Sequence, residues 1–309
     1  MTPLEELRAG GKPALARALA RVEAAPDAPD VTGLLDAAYA APNGHALGLT
    51  GPPGVGKSTL IRSLIGHWRG AGRTVGVIAV DPSSRRSGGA LLGDRTRLGT
   101  DPEDPGIFVR SMAARERLGG VAEITFPAMV LMRALFDRVI VETVGVGQSE
   151  TEIAGLCDTV VFCAQPGSGD ALQFMKAGVM EIPDIVLVTK ADLGKLASRA
   201  VADLKGALSL AALPGDAPPP RVLSCSANRD EGVAALIEAI EARAEEGTRG
   251  GHAAQARRWL AAHLAQGYGR AGLAALRVGT DEPGAKPFAH AAALGARLEA
   301  AFAEAFARE

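Results

Sequence analysis

The stretch Gly51-Pro52-Pro53-Gly54-Val55-Gly56-Lys57-Ser58 decides the fold of this chain. It fits the pattern GxxxxGK[ST], in which backbone N–H groups wrap a phosphate chain, the lysine reaches the β- and γ-phosphates, and the hydroxyl holds Mg²⁺. The flanks suit such a loop, because 46–50 are predicted as a buried strand and 58–68 as a helix whose N-terminus faces the anion. The expected phosphate-binding residues are Gly51, Pro52, Pro53, Gly54, Val55, Gly56, Lys57, Ser58 and Thr59.

Short apolar runs recur along the middle of the chain, separated by segments with helical patterns. Most of the runs lack alternation, which indicates strands that are covered on both faces. Strands joined through helices predict an α/β fold with a doubly wound, mostly parallel sheet of the P-loop type. The predicted strands are 46–50, 75–80, 107–110, 138–142, 159–164, 185–189 and 221–224.

Both ends of the chain carry helical patterns instead of strand patterns. The predicted division is an N-terminal helical extension at 1–42, a P-loop domain at 43–246 and a C-terminal helical arm at 247–309. The apolar stripes of this arm need a partner surface, either the main domain or a second subunit.

Composition narrows the class of partner. The 309 residues carry a net charge of −2 with 4% aromatic residues, which argues against a nucleic-acid or anionic-membrane partner. No apolar run approaches the roughly 20 residues of a membrane-spanning helix, and the N-terminus lacks a signal-peptide pattern. The three cysteines, which do not have zinc-site spacing, predict reduced core thiols. The expected location is therefore cytoplasmic.

An apolar strand that ends in an acid follows the phosphate loop. In the run 138–145, Glu142 stands where nucleotide switch proteins place their metal-side acid, usually Asp, and Gly145 stands where a backbone N–H touches the γ-phosphate. This arrangement after a phosphate loop is typical of a nucleotide switch protein.

A second strand ends in Thr189-Lys190-Ala191-Asp192, which fits the guanine-reading pattern [NT]KxD. The carboxylate of Asp192 accepts hydrogen bonds from the guanine N1–H and 2-amino group, whereas adenine would leave a buried carboxylate unpaired. A loop beneath the base is predicted at Ser226, Ala227 and Asn228. Together these motifs predict binding of GTP and GDP.

Four segments carry a more specific resemblance. VDPSS at 80–84, LLGDRTR at 91–97, VETVGVGQSE at 141–150 and the stretch 165–176 together resemble the MeaB/ArgK family of P-loop GTPases. The resemblance implies a GTP-hydrolysing chaperone that gates cofactor loading and protection of an adenosylcobalamin-dependent acyl-CoA mutase. It also implies a homodimer joined through the C-terminal helices, with adenosylcobalamin reached only through the mutase.

The resemblance also implies roles for individual residues. The metal set would be Ser58, Asp81, Asp94 and Glu142. The hydrolytic set would be Lys57, Glu142, Gln148 in the second switch and Lys176 in a third switch at 165–176. Thr189 departs from the family's usual Asn. In addition, Val146 follows the switch glycine where small signalling GTPases have Gln, so hydrolysis without a partner is expected to be slow.

Three alternatives remain open. A nickel-type metallochaperone GTPase would carry a metal-binding Cys or His motif, which the sequence lacks. A protein kinase of a transport system would need a base and an acceptor groove. A non-catalytic scaffold would use GTP only as a structural ligand. Methylmalonyl-CoA mutase is the expected client, and ethylmalonyl- and isobutyryl-CoA mutases are the other candidates.

Overall fold

The computed structural model of the protein describes residues 1–81, 98–113, 122–143, 149–167, 183–210, 219–247, 251–278, 284 and 286–307. Contacts divide the chain into two compact units. A helical unit comprises 1–44, 115–136 and 250–309, and a sheet unit comprises 45–114 and 137–249. The division of the chain at 42 and 247 remains a prediction.

The sheet unit is built on a seven-stranded sheet, as the sequence predicted. Its spatial order is β3-β2-β4-β1-β5-β6-β7, and each neighbouring pair is parallel. β3 continues to Ala113, three residues past its predicted end, and β6 ends before Thr189. The strands are β1 His45–Thr50, β2 Val75–Asp81, β3 Ile107–Ala113, β4 Arg138–Thr143, β5 Thr159–Ala164, β6 Ile185–Val188 and β7 Arg221–Ser224.

Helices follow most of the strands and occupy both ends of the chain. The backbone of α9 leaves helical angles at Gly269, where a glycine accepts the positive φ. The helices are α1 Pro3–Ala9, α2 Gly11–Ala24, α3 Pro29–Ala40, α4 Lys57–Gly70, α5 Ala122–Arg133, α6 Ser149–Leu156, α7 Lys195–Leu210, α8 Val233–Glu246, α9 Gly251–Val278 and α10 Pro287–Phe306, with a 3-10 turn at Ala191–Leu193. In the described part of the chain, none of them combines the length and apolar character needed to cross a membrane.

Burial explains why the central strands lack alternation. Every residue of β1 and β5 is buried, whereas β7, at the edge of the sheet, is half exposed. On one face of the sheet, α4 packs Leu60 and Leu64 into the same cluster as Leu49 of β1. Cys157, Cys163 and Cys225 are buried and free, which confirms the prediction of core thiols.

An aspartate precedes each of three strands and binds the start of the neighbouring strand. The carboxylates of Asp137, Asp158 and Asp184 accept hydrogen bonds from the backbone N–H groups of Thr74, Ala46 and Val160 at 2.7, 2.7 and 2.8 Å. Each aspartate comes directly before a strand. The residue that donates the N–H comes directly before the residue that pairs with the first residue of that strand. These side chains therefore satisfy backbone donors at the amino edge of the sheet.

The helical unit has its own aromatic core. Phe126 of α5 stacks on Trp259 of α9 and Phe288 of α10, with ring centroids 5.5 and 6.0 Å apart. The Asp36 carboxylate accepts the N–H groups of Phe288 and Ala289 at 2.9 and 3.1 Å. It therefore binds donors that the first turn of α10 leaves without helical partners.

Candidate nucleotide-binding site

The phosphate loop joins β1 to α4 and depends on its glycines. Gly51, Gly54 and Gly56 have φ values of 142°, 75° and 106°, a region that favours glycine. At Gly51 a Cβ would lie 2.4 Å from the carbonyl oxygen of Cys163 on β5. Any larger residue at Gly51 would therefore push the loop away from the sheet.

Lys57 is the first residue of α4, and it is buried within the loop. Its Nζ donates to the carbonyl oxygens of Gly51 at 2.6 Å and Pro52 at 3.2 Å. The side chain lies at the helix N-terminus, where the helix dipole and free N–H groups favour an anion. Ser58 and Thr59 follow on the first turn of the helix and are half-buried.

Glu142 lies on the face of the sheet that carries α4. It is the register partner of Leu49 on the adjacent parallel strand, so the two side chains share a face, and Leu49 belongs to the cluster that α4 covers. The half-buried carboxylate therefore projects toward the side on which Lys57 and Ser58 begin the helix.

The remaining predicted residues of the metal and hydrolytic sets are only partly described. The backbone of Asp81 ends β2 at the same edge of the sheet. Its side chain, together with Asp94, Gly145, Gln148 and Lys176, lies outside the described residues. Within the described ranges, no group of three or more His, Cys, Asp and Glu side chains could hold a metal. The oxygen donors Ser58 and Glu142 nevertheless suit Mg²⁺, which retains several waters and needs few protein ligands.

Thr189 connects the predicted base-reading motif to the phosphate loop. It is buried, and its hydroxyl donates toward the carbonyl oxygens of Val55 at 2.8 Å and Ala164 at 3.1 Å. The backbone N–H of Thr189 also donates to Ala164 O at 2.8 Å. The side chain is therefore held between the loop after β1 and the end of β5.

Lys190 makes a second connection to the same loop. Its Nζ donates to the carbonyl oxygen of Gly54 at 3.0 Å and to Oε1 of Gln165 at 2.8 Å. Its φ of 54° is unusual for a residue with a side chain. The sequence did not indicate the contact with Gln165, because the two residues are 25 positions apart.

Asp192 is exposed, not buried as the sequence analysis expected, because it lies on the 3-10 turn beyond the end of β6. A hydrogen bond from the Ser226 side chain lowers the pKa of its carboxyl. Ser226 is itself buried, and Ala191 N–H donates to Cys225 O at 3.0 Å. The two predicted base-binding loops are thus joined, with an ionised carboxylate at the surface.

A groove of about 670 Å³ runs beside α4 and the loop at 227–230. It brings together Thr59, Ala227 and Asn228, three of the predicted nucleotide-binding residues. Nε2 of His67 lies 2.7 Å from Oδ1 of Asp230 across the groove. The sequence motifs gave no signal for these last two residues, because neither belongs to a recurring nucleotide-binding pattern. The lining residues are Thr59, Arg62, Ser63, Gly66, His67, Gly70, Ala227, Asn228 and Asp230.

Two cysteines border the phosphate loop as neutral thiols. Burial raises the pKa of Cys225 to about 11, and burial also raises that of Cys163. Cys163 lies against Gly51 of the loop, and as a neutral thiol it adds no charge near Lys57.

Comparison with known proteins places this arrangement in a family. The model of the methylmalonyl-CoA mutase-associated GTPase MeaB matches residues 15–277. The chain belongs to this family. Membership confirms the resemblance seen in the four sequence segments.

Relatives of this MeaB-family chain include proteins named as GTPases. A putative GTPase of Pyrococcus horikoshii is 54% identical over 151 residues, which are 48% of this chain and 48% of that protein. The chain thus matches about half the length of that relative. A probable GTPase of Mycobacterium bovis is 42% identical over 244 residues, covering 76% of this chain and 72% of the relative.

A solved structure shares the fold. The crystal structure of a LAO/AO transport system kinase has a TM-score of 0.63 and 32% sequence identity, with 78% of this chain and 74% of that chain covered. The MeaB-family chain therefore has the P-loop GTPase fold that the sequence predicted.

Proposed function

We propose that this chain is a GTP-hydrolysing chaperone of an adenosylcobalamin-dependent acyl-CoA mutase, with methylmalonyl-CoA mutase as its client. The match of the family model over residues 15–277 is the observation that carries the proposal. The geometry around Lys57, Thr189 and Asp192 supports it, because one edge of the sheet holds both a phosphate loop and a base-reading motif.

Hydrolysis would transfer the γ-phosphoryl group of GTP to water, breaking its bond to the β-phosphate oxygen and giving GDP and phosphate. The Lys57 ammonium and the loop N–H groups would bind the β- and γ-phosphate oxygens. Mg²⁺ would be held by Ser58 with Asp81, Asp94 and Glu142, and it neutralises phosphate charge when bound. Gly145 would contact the γ-phosphate, and Gln148 would orient the attacking water.

The base would be selected by Asp192, whose ionised carboxylate suits the two donors of guanine. Ser226 holds that carboxylate from the loop that continues to Ala227 and Asn228. We propose that Ala227 and Asn228 contact the base from this side, next to Thr59 across the groove.

The partner would act through residues 165–176. Gln165, the first of them, binds Lys190, which binds the phosphate loop. We propose that the mutase orders this segment and brings Lys176 toward the γ-phosphate. Because a positioned cation accelerates other GTPases by about 10³–10⁵, even partial ordering gives a measurable stimulation.

The test is GTP turnover with and without purified methylmalonyl-CoA mutase. Wild type should be slow alone and faster with the mutase, whereas Lys176→Ala should keep basal turnover and lose most of the stimulation. Lys205→Ala, at an exposed position of α7, is the matched control and should respond like wild type. If the mutase stimulates Lys176→Ala as much as wild type, Lys176 does not mediate the stimulation. If the mutase stimulates neither protein, the chaperone role is wrong.

We propose that a second copy of the chain packs on the exposed apolar residues of the C-terminal helices α9 and α10. Leu273, Phe302 and Phe306 are 41%, 42% and 78% exposed on α9 and α10. A homodimer should sediment as twice the 31.6 kDa of the chain, and Phe306→Ser should weaken it.

The three buried free cysteines favour a reducing, cytoplasmic location.

The name of the solved relative favours one second candidate, a kinase of a transport system. Radiolabelled γ-phosphate distinguishes the two. A GTPase releases the label as inorganic phosphate, whereas a protein kinase transfers it to a protein.

A further inference from the structure

The hydroxyl of Thr189 has a single proton, and that proton is already used. It points to the carbonyl oxygens of Val55 at 2.8 Å and Ala164 at 3.1 Å, two acceptors that share one donor. The residue is 5% exposed, so water does not compete for the proton. Without this donor the buried Val55 carbonyl would lose its hydrogen bond from Thr189 at a cost in stability, whereas Ala164 O would still accept the backbone N–H of Thr189.

The lone pairs of the Thr189 hydroxyl could still accept a hydrogen bond. The N7 edge of guanine, however, has no donor to offer them. Its N1–H and 2-amino group, the donors that Asp192 would take, lie on the six-membered ring. The opposite edge presents N7 and O6, which are both acceptors. A threonine hydroxyl that donates to Val55 O therefore cannot also donate to N7.

Lys190 reinforces the same connection. Consecutive residues of the motif, Thr189 and Lys190, bind consecutive carbonyls of the phosphate loop, Val55 and Gly54. The base-reading motif and the phosphate loop are thereby fixed to each other by two side chains.

We propose that Thr189 is a positioning residue that ties the base-reading motif to the phosphate loop, and that the protein does not read N7 of guanine through it. This inference rests on the proposed binding of guanine nucleotides. It extends the ligand class to guanine nucleotides altered at N7, such as 7-deaza-GDP, in which a C–H replaces the acceptor.

Calorimetry with GDP and 7-deaza-GDP tests the proposal on the full chain. Wild type should bind the two with affinities within about twofold, since no hydrogen bond from this side chain is lost. Thr189→Asn supplies two amide protons, one for Val55 O and one for N7. This variant should prefer GDP by about two- to tenfold, the range for one hydrogen bond.

Removing the hydroxyl distinguishes a positioning role of Thr189 from a direct contact between Thr189 and the base. Thr189→Val should weaken both ligands equally, by about two- to tenfold, and Thr189→Ser should restore them. Thr159→Val is the matched control, because that buried threonine hydroxyl lies at the amino end of β5, 2.9 Å from His45 Nε2. Its nucleotide affinities should equal those of wild type.

Several results would overturn the proposal. One is a wild type that prefers GDP over 7-deaza-GDP by more than about threefold, with the preference lost in Thr189→Val, because that pattern is a direct contact. Another is a folded Thr189→Val variant that binds both ligands as tightly as wild type does, because the hydrogen bond to Val55 O would then not position the base-reading motif. If Thr189→Val does not fold, the ratio of GDP to 7-deaza-GDP affinity in wild type and in Thr189→Asn still tests whether Thr189 contacts N7. Failure of the proposed function looks different, because wild type would then bind neither guanine ligand better than ADP.

Discussion

The two edges of the sheet use their polar side chains in opposite ways. At the amino edge, Asp137, Asp158 and Asp184 each accept a backbone N–H of a neighbouring strand. At the carboxyl edge, Asp192 is exposed, and the buried hydroxyls of Thr50 and Thr143 have no hydrogen-bond partner among the described residues. The carboxylates of the first edge hold strands together, whereas two hydroxyls of the second edge are left unpaired among the described residues, as expected for a ligand site where parallel strands end.

Lys57→Ala should give the largest effect, since it removes the cation at the carboxyl edge. The loss of one preorganised donor to a transferring phosphoryl group costs about 10²–10³ in rate. Single-turnover phosphate release measures it. An unchanged rate in Lys57→Ala would show that this edge is not the reaction site, and Asp137→Ala at the amino edge is the control that should hydrolyse GTP normally.

Asp192→Asn should change which base is bound. The amide cannot accept both guanine donors, so GDP affinity should fall more than about tenfold, while xanthosine diphosphate, with a 2-oxo group, should gain. Competition calorimetry with GDP, XDP and ADP gives the order. Equal affinity of wild type for GTP and ATP would remove the reason for placing base selection at this edge.

Asp137→Ala should affect stability and leave nucleotide affinity unchanged. Its carboxylate accepts the Thr74 N–H at 2.7 Å and the Thr74 hydroxyl at 2.8 Å. Leaving these donors unpaired should lower the free energy of unfolding by about 1–3 kcal/mol. Urea unfolding measures it, and a loss of GDP binding by the folded variant would break the separation between the two edges.

The same residue gives a pH dependence of fixed sign. Partial burial raises the pKa of Asp137, but the hydrogen bonds from Thr74 together with the charges of Arg73 and Arg138 outweigh it and hold this pKa below the usual 3.8. A lowered pKa stabilises the folded protein above pH 3.8, and this contribution is lost as the pH falls through the folded-state value. Between pH 5 and pH 3, about the range in which an Asp protonates, wild type should lose more unfolding free energy than Asp137→Asn. If the unfolding free energies of the two proteins fall in parallel with pH, the ionised Asp137 carboxylate does not contribute to stability.

Much of the sheet could be predicted from the sequence because buried parallel strands are apolar throughout. The end of β3 was missed, since Ser111 and Arg110 interrupt its apolar run. Helix α5 contains Pro127, a residue that usually ends helices, and it belongs to the helical unit although it lies between two strands of the other unit. Such a grouping depends on contacts with distant residues such as Trp259.

The site was predictable to the level of motifs but not of contacts. The phosphate loop fixes the position of Lys57, because spacing alone carries that information. The role of Thr189 was not visible, because its acceptors, on Val55 and Ala164, are 134 and 25 residues away in sequence. Asp192 was also predicted to be buried, but it lies on an exposed turn whose backbone is set by Gly194, with a φ of 58°, and by Lys190.

The placement of the tryptophans gives the molecule a built-in optical probe for each unit. The chain has two tryptophans, and both are buried. Trp68 lies on α4, where its Nε1 donates to Glu241 at 3.0 Å, and Trp259 stacks against Phe126 and His263 in the helical unit. With Trp68→Phe the emission comes from the helical unit alone, and with Trp259→Phe from the sheet unit alone. Fluorescence can therefore follow the melting of each unit separately, without an added dye.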